Sequence, residues 1–119
     1  MITETQPQPV WAVTPEKISE AVRRLVQAAS PRKIILFGSR ARAGASKDSD
    51  LDLMVITGPL SDEQQFHEMI RLRDLLSPLI MSVDVLVVPE EKMEYWHDTP
   101  GNVYYEAALD GIVLYDQKS

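Results

Sequence analysis

Three aspartates interrupt stretches that are otherwise apolar and β-rich. Asp50 and Asp52 stand in "SDLDLMVI", and Asp84 stands in "VDVLVV". Aspartate is depleted in strands and costly to bury without a partner. Residues two apart on a strand share a face, so Asp50 and Asp52 project together while Leu51 and Leu53 point the other way. Two like charges side by side also repel. A divalent cation removes both penalties, because hard Mg²⁺ takes carboxylate oxygens and fills its other positions with water and substrate phosphate. If the Asp84 strand pairs beside the Asp50/Asp52 strand, three carboxylates converge at one end of a sheet. One or two ions held there would clamp a phosphoryl group in transfer. A solvated strand start, with Asp48 and Asp50 in a turn and Asp84 making a hydrogen bond at a strand end, is the plainer account of the same residues.

A second constellation precedes the first. Gly38-Ser39 follows the apolar run "KIILF" directly, and Arg40 and Arg42 come next. Glycine lets a phosphate approach the backbone closely. A helix beginning at Ser39 offers free N–H groups and a positive dipole end, and the serine hydroxyl is one more donor. The guanidinium groups of Arg40 and Arg42 suit phosphate oxygens. They are two apart, so on a helix they do not face one point: one reaches phosphate, while the other touches an acceptor or holds the loop. The pattern is neither G-x-x-x-x-G-K-[ST] nor G-x-G-x-x-G. Taken alone, "GSRARAG" also fits an ordinary exposed basic turn.

The elements that must position these groups are legible from period and punctuation. Thr14-Pro15-Glu16 starts a helix with a hydroxyl cap, proline in the first turn and an early acid. Ile18, Ala21, Val22, Leu25, Val26 and Ala29 keep the helical period up to Ser30-Pro31. Lys33 to Phe37, Leu51 to Ile56 and Val83 to Val88 read as buried strands, the second closed by Gly58-Pro59 and the third by Pro89. Ser61 to Leu76 reads as a helix with Gln64 in the capping-box position and Phe66, Met69, Ile70 and Leu76 along one face. Glu90 to His97 and Val103 to Leu109 are short helices, with Tyr95 and Trp96 expected to pack on the sheet edge, and Ile112 to Tyr115 forms a last edge strand. This alternation implies an α/β (α+β) domain, a single mixed β-sheet with helices packed on it, over residues 14–119 behind a loose tail at 1–13.

Composition narrows the function classes. The 119 residues are 45% apolar, enough for a core. A net charge of −6 gives no overall pull toward nucleic acid or an anionic membrane, so no direct nucleic-acid binding is expected. The absence of cysteine excludes disulfides and thiolate metal sites and fits a cytoplasmic protein. No apolar run approaches the length of a membrane span, and "MITETQPQPVWAV" does not read as a signal peptide. His67 and His97 have no partner at ligand spacing and read as structural or solvated.

Together, Gly38-Ser39, ten intervening residues, Asp50-x-Asp52 and the strand aspartate Asp84 resemble the signature of the DNA polymerase β-like nucleotidyltransferase superfamily. The chain looks in particular like a minimal nucleotidyltransferase, the antitoxin class paired with HEPN-domain toxins. The resemblance runs from Lys33 to Val88, and "NVYYEAALDGIVLY" is similar to that family's C-terminal segment. The family's run is close to "GSRARG"; here Ala43 takes the place of the second glycine and Gly44 follows. The resemblance implies that Gly38 and Ser39 hold the phosphates of a nucleotide, that Asp50 and Asp52 hold Mg²⁺, and that Asp84 completes the triad. It implies transfer of AMP from ATP to an acceptor hydroxyl, with pyrophosphate leaving. Only 31 residues follow Val88, little for an acceptor pocket, so the acceptor expected is a partner HEPN toxin, on tyrosine. A non-enzymatic antitoxin that neutralises by binding, and transfer to a small molecule, are the rival readings. The oligomeric state is left open, with a homo-oligomer among the options.

Overall fold

A computed structural model describes residues 9–42 and 49–119. The element order is α1 (Pro15–Ala29), β1 (Lys33–Phe37), a 3₁₀ turn (Gly38–Ala41), β2 (Leu51–Thr57), α2 (Asp62–Leu76), a second 3₁₀ turn (Ser77–Leu79), β3 (Val83–Pro89), α3 (Glu90–Trp96), α4 (Val103–Asp110) and β4 (Ile112–Asp116). Local chemistry sets the ends. The Thr14 side chain accepts from the Lys17 N–H, and α1 closes on Ser30 in the left-handed region at φ 44°. Ser61 and Gln64 form a reciprocal capping box on α2. Asn102 caps α4 by accepting from the Tyr105 N–H.

The strands form one mixed sheet in the order β3-β2-β1-β4. β1 runs antiparallel to both β2 and β4, while β2 and β3, joined through α2, are parallel. Strand alternation then divides the core between the two faces. Leu36, Leu51, Leu53, Val55, Val85 and Val87 pack with Ala21 and Leu25 of α1 and with Leu72 and Leu76 of α2. Phe37, Met54, Ile56 and Val88 pack on the opposite face with Ala107 of α4 and, more loosely, Met93 of α3. Asp52 shares this second, more thinly covered face, since it lies one residue from Leu51 and Leu53 along the same strand.

The apolar face expected on α2 differs from the one observed. Phe66 and Ile70 are 56% and 49% exposed, while Leu72 and Leu76 are buried. The period explains it. Met69 and Leu76 lie within roughly 60° of Leu72 around the helix, whereas Phe66 and Ile70 lie roughly 120° and 160° away. Gln65 falls on the sheet side of α2 and donates to the Val87 carbonyl at 2.7 Å. Arg73, on the flank, donates from Nε to the Val85 carbonyl at 3.3 Å. Both carbonyls belong to β3, an outermost strand, so α2 covers that edge with side-chain donors. Tyr95 and Trp96 do not pack on the sheet as expected. They are exposed and make an edge-to-face pair at 4.8 Å between ring centroids.

At the other end of α1, the Lys17 ammonium donates to three carbonyls, those of Val10 at 2.6 Å, Ala12 at 2.8 Å and Ile80 at 2.9 Å. One side chain thereby ties the segment before α1 to the turn after α2.

Candidate active site

The sheet register brings two of the three aspartates together. Asp52 and Asp84 are direct partners across the parallel β2–β3 pair. On the other side, Asp52 is the register partner of Phe37, the last residue of β1. The chain therefore enters its turn at Gly38 directly beside the Asp52 carboxylate. Gly38 takes φ +74°, and a Cβ there would collide with Asp52 Oδ2, lie 3.1 Å from Cγ and 3.4 Å from Cβ. Glycine is required here for two independent reasons, the left-handed backbone and the seat of the carboxylate.

Asp50 precedes the first residue of β2 and is exposed. The Ser82 hydroxyl donates to Asp50 Oδ1, and the Ser82 carbonyl accepts from the Leu51 N–H at 2.9 Å. Ser82 thus fastens the start of β2 to the start of β3. Asp84 is half exposed, and its Oδ1 accepts from the Arg73 guanidinium. Ser39 lies in the turn that starts at Gly38. Arg40 donates from Nε to the Ser49 carbonyl at 2.8 Å, bridging the two described ends around 43–48. Arg42 is exposed and extended at the close of the turn. Asp48, Ala43 and Gly44, on which the plainer turn reading and the departure from "GSRARG" rest, lie outside the described residues.

The electrostatics follow from this placement. Burial, and then repulsion from Asp84 and Asp50, pushes the Asp52 carboxyl above the usual carboxylate range. Asp52 alone of the three is half-buried within a strand, and it feels both others. Among the described residues, no three acidic or histidine side chains converge closely enough to hold one ion together. The donor set nonetheless suits a hard divalent cation, since adding positive charge beside Asp52 offsets both burial and repulsion. A cavity of about 440 Å³ lies at the opposite end of the sheet, where Arg32, Ile56, Met93, His97 and Lys118 line it, and does not reach the aspartates.

Two residues of the site were not among those read from the sequence. Ser82 is one of several serines before apolar runs, and nothing local marks it. Arg73 sits on a helix eleven positions before Asp84, and only the crossover from β2 through α2 to β3 makes them neighbours.

A nucleotidyltransferase domain model matches residues 15–107, which spans β1, the Gly38 turn, β2 and β3 with all three aspartates. The chain belongs to the nucleotidyltransferase domain family. It is a nucleotidyltransferase, and its mixed sheet with helices on both faces is the nucleotidyltransferase fold. A candidate nucleotidyltransferase from Sulfolobus solfataricus superposes with a TM-score of 0.61 at 19% identity, covering 87% of this chain and 81% of that one. A toxin–antitoxin structure with AMP-PNP superposes at 0.53 and 18% identity, covering 89% and 76%. A tri-AMPylated HEPN toxin from Shewanella oneidensis in complex with an MNT antitoxin gives 0.46 at 18% identity, covering 87% and 70%, a score too low to add to the fold assignment. No curated protein matches the chain. Among the described residues, no helix of this nucleotidyltransferase is long and apolar enough to cross a membrane.

Proposed function

We propose that this nucleotidyltransferase is a metal-dependent protein adenylyltransferase that moves AMP from ATP onto a hydroxyl, a tyrosine, of a partner HEPN toxin and so acts as an antitoxin in the cytoplasm. The observation that carries the reading is the register of Asp52 with Asp84, with the Asp52 carboxylate seated against Gly38 at the mouth of the turn. The likeness in fold to a toxin–antitoxin structure with AMP-PNP supports an adenine nucleotide and a toxin as partner, and the HEPN class of that toxin follows from the resemblance of the sequence motifs.

The residues divide the work. Asp50 and Asp52 would hold Mg²⁺, one ion or two, with Asp84 as the third carboxylate. When bound, the ion supplies charge neutralisation for the triphosphate and lowers the pKa of the acceptor hydroxyl. Gly38 seats the Asp52 carboxylate and brings the backbone of the turn beside the phosphates, and the Ser39 hydroxyl donates to a phosphate oxygen. Arg40 holds the loop through the Ser49 carbonyl, and Arg42 reaches the nucleotide. The acceptor oxygen forms a bond to the α-phosphorus, the bond from that phosphorus to the oxygen bridging to the β-phosphorus breaks, and pyrophosphate leaves. The acceptor proton passes to the Asp84 carboxylate. Rate acceleration comes from positioning and charge, not from a covalent enzyme intermediate.

Parallel reactions with α-labelled and γ-labelled ATP test the reading. The α-label appears on the partner protein and the γ-label in pyrophosphate. A γ-label on the partner would mean phosphoryl transfer. Label on a small molecule would overturn the protein acceptor, and inhibition of the partner with no label at all would make the protein a binding-only antitoxin.

A further inference from the structure

The Arg73–Asp84 pair sits where the third carboxylate of the site is needed. The Arg73 guanidinium binds Asp84 Oδ1, and its Nε binds the Val85 carbonyl at 3.3 Å. That carbonyl lies on the outer edge of β3, so the guanidinium draws the Asp84 side chain outward, although its backbone is in register with Asp52. Asp52 and Asp50 remain on the inner side, where Asp50 is engaged by Ser82. Among the described residues the three carboxylates do not converge on one point, although Asp52 feels the charge of both Asp84 and Asp50.

We propose that Arg73 is a latch on the third carboxylate: it holds Asp84 at the β3 edge until a divalent ion at Asp50 and Asp52 takes the carboxylate in exchange for the guanidinium. The inference rests on the metal reading of the site given above. Arg73 is a positioning residue that touches neither nucleotide nor acceptor. The exchange is cheap. Both side chains are about half exposed, at 43% and 51%, and a pair so placed is worth at most about a fivefold factor in an equilibrium constant. A divalent ion offers Asp84 twice the charge, and releasing the guanidinium leaves it solvated and still bonded to Val85.

Both consequences of removing the latch have one sign. Asp84 is freed, and a positive charge beside a cation site disappears. Arg73→Gln is the suitable variant, because the glutamine amide nitrogen stands where Arg73 Nε stands along the side chain. It keeps the donor to the Val85 carbonyl, as Gln65 does for Val87, and loses only the arm to Asp84. Binding of Mn²⁺ to the full chain is read by the electron paramagnetic resonance signal of the free ion, and melting in EDTA reports the fold. Arg73→Gln should bind Mn²⁺ about three- to tenfold more tightly than wild type while melting within a few degrees of it. In an Asp84→Asn background, where no latch remains to open, the same substitution should give less than half of that gain on the logarithmic scale. Unchanged or weaker Mn²⁺ binding by Arg73→Gln, or an equal gain in the Asp84→Asn background, overturns the latch while the metal site stands. If neither wild type nor Arg73→Gln binds Mn²⁺, the metal reading falls and the latch falls with it.

Discussion

Gly38→Ala separates the positioning of a carboxylate from the stability of the fold. An L-residue at φ +74° costs about 1–2 kcal/mol. The new methyl also overlaps Asp52 Oδ2 and presses on Cγ at 3.1 Å. The oxygen is the free end of a short side chain, so the overlap is relieved by turning the carboxylate away by on the order of 1 Å, toward ordinary contact at about 3.5 Å. Relief of that kind adds little to the folding cost, and the expected loss in melting temperature is about 4–8 °C. A domain of ordinary stability remains almost wholly folded at 25 °C after such a loss. The rate should respond quite differently, since a displacement near 1 Å in a reacting constellation costs about a hundredfold. Melting curves, and initial rates of AMP transfer at about 25 °C with Mg²⁺ and ATP, give the two numbers. A variant that loses the expected stability yet transfers AMP within about threefold of wild type would refute the argument that Gly38 exists to seat the Asp52 carboxylate.

The raised Asp52 carboxyl has its own signature. Its folded-state pKa lies above the unfolded value, so between the two the folded chain holds more protons, and stability falls as pH rises through that window and stays lower above it. Asp52→Asn should therefore melt above wild type in EDTA at pH 7.5, with the gap closing as pH approaches about 4; a variant that melts lower throughout contradicts this. Lys17→Met removes an ammonium from three carbonyls and should lower stability by roughly 1–3 kcal/mol with unchanged Mn²⁺ affinity. Urea unfolding checks the first part, and a loss below about 0.5 kcal/mol would mean that water replaces the bonds freely. Ser39→Ala removes one hydroxyl donor and leaves the carboxylates in place, so it should slow transfer far less than Asp52→Asn; equal damage would reverse that ranking.

The strands and the long helices were legible because their signals are local. Pro15 and Ser61 mark helix starts through capping chemistry, and the apolar runs ending at Phe37 and Val88 needed no tertiary information. The aspartates stood out for the same reason, as misfits in β-rich sequence. What could not be read depends on which elements become neighbours. Arg73 reaches Asp84 only because the crossover lays α2 along the β3 edge, and Ser82 meets Asp50 only because β2 and β3 start side by side. Spacing and hydrophobicity point to Phe66 and Ile70 on the buried face of α2 with Met69 and Leu76, yet around Leu72 the helix turns both away from the sheet, and the sheet side is taken by Leu72 and by Gln65 with its carbonyl partner. Tyr95 and Trp96 misled in the same way. Aromatic residues beside a sheet invite a packing assignment, but a short helix after Pro89 turns them outward.

The most direct measurement is the intact mass of the partner toxin after incubation with ATP and Mg²⁺ and either wild-type protein or the Asp50→Asn/Asp52→Asn variant. The account predicts that the partner gains the mass of one or more AMP residues with wild type and none with the variant, and that phosphodiesterase treatment removes the addition. A partner that is bound and inhibited by wild type with its mass unchanged, or that gains the same mass with the variant, would contradict it.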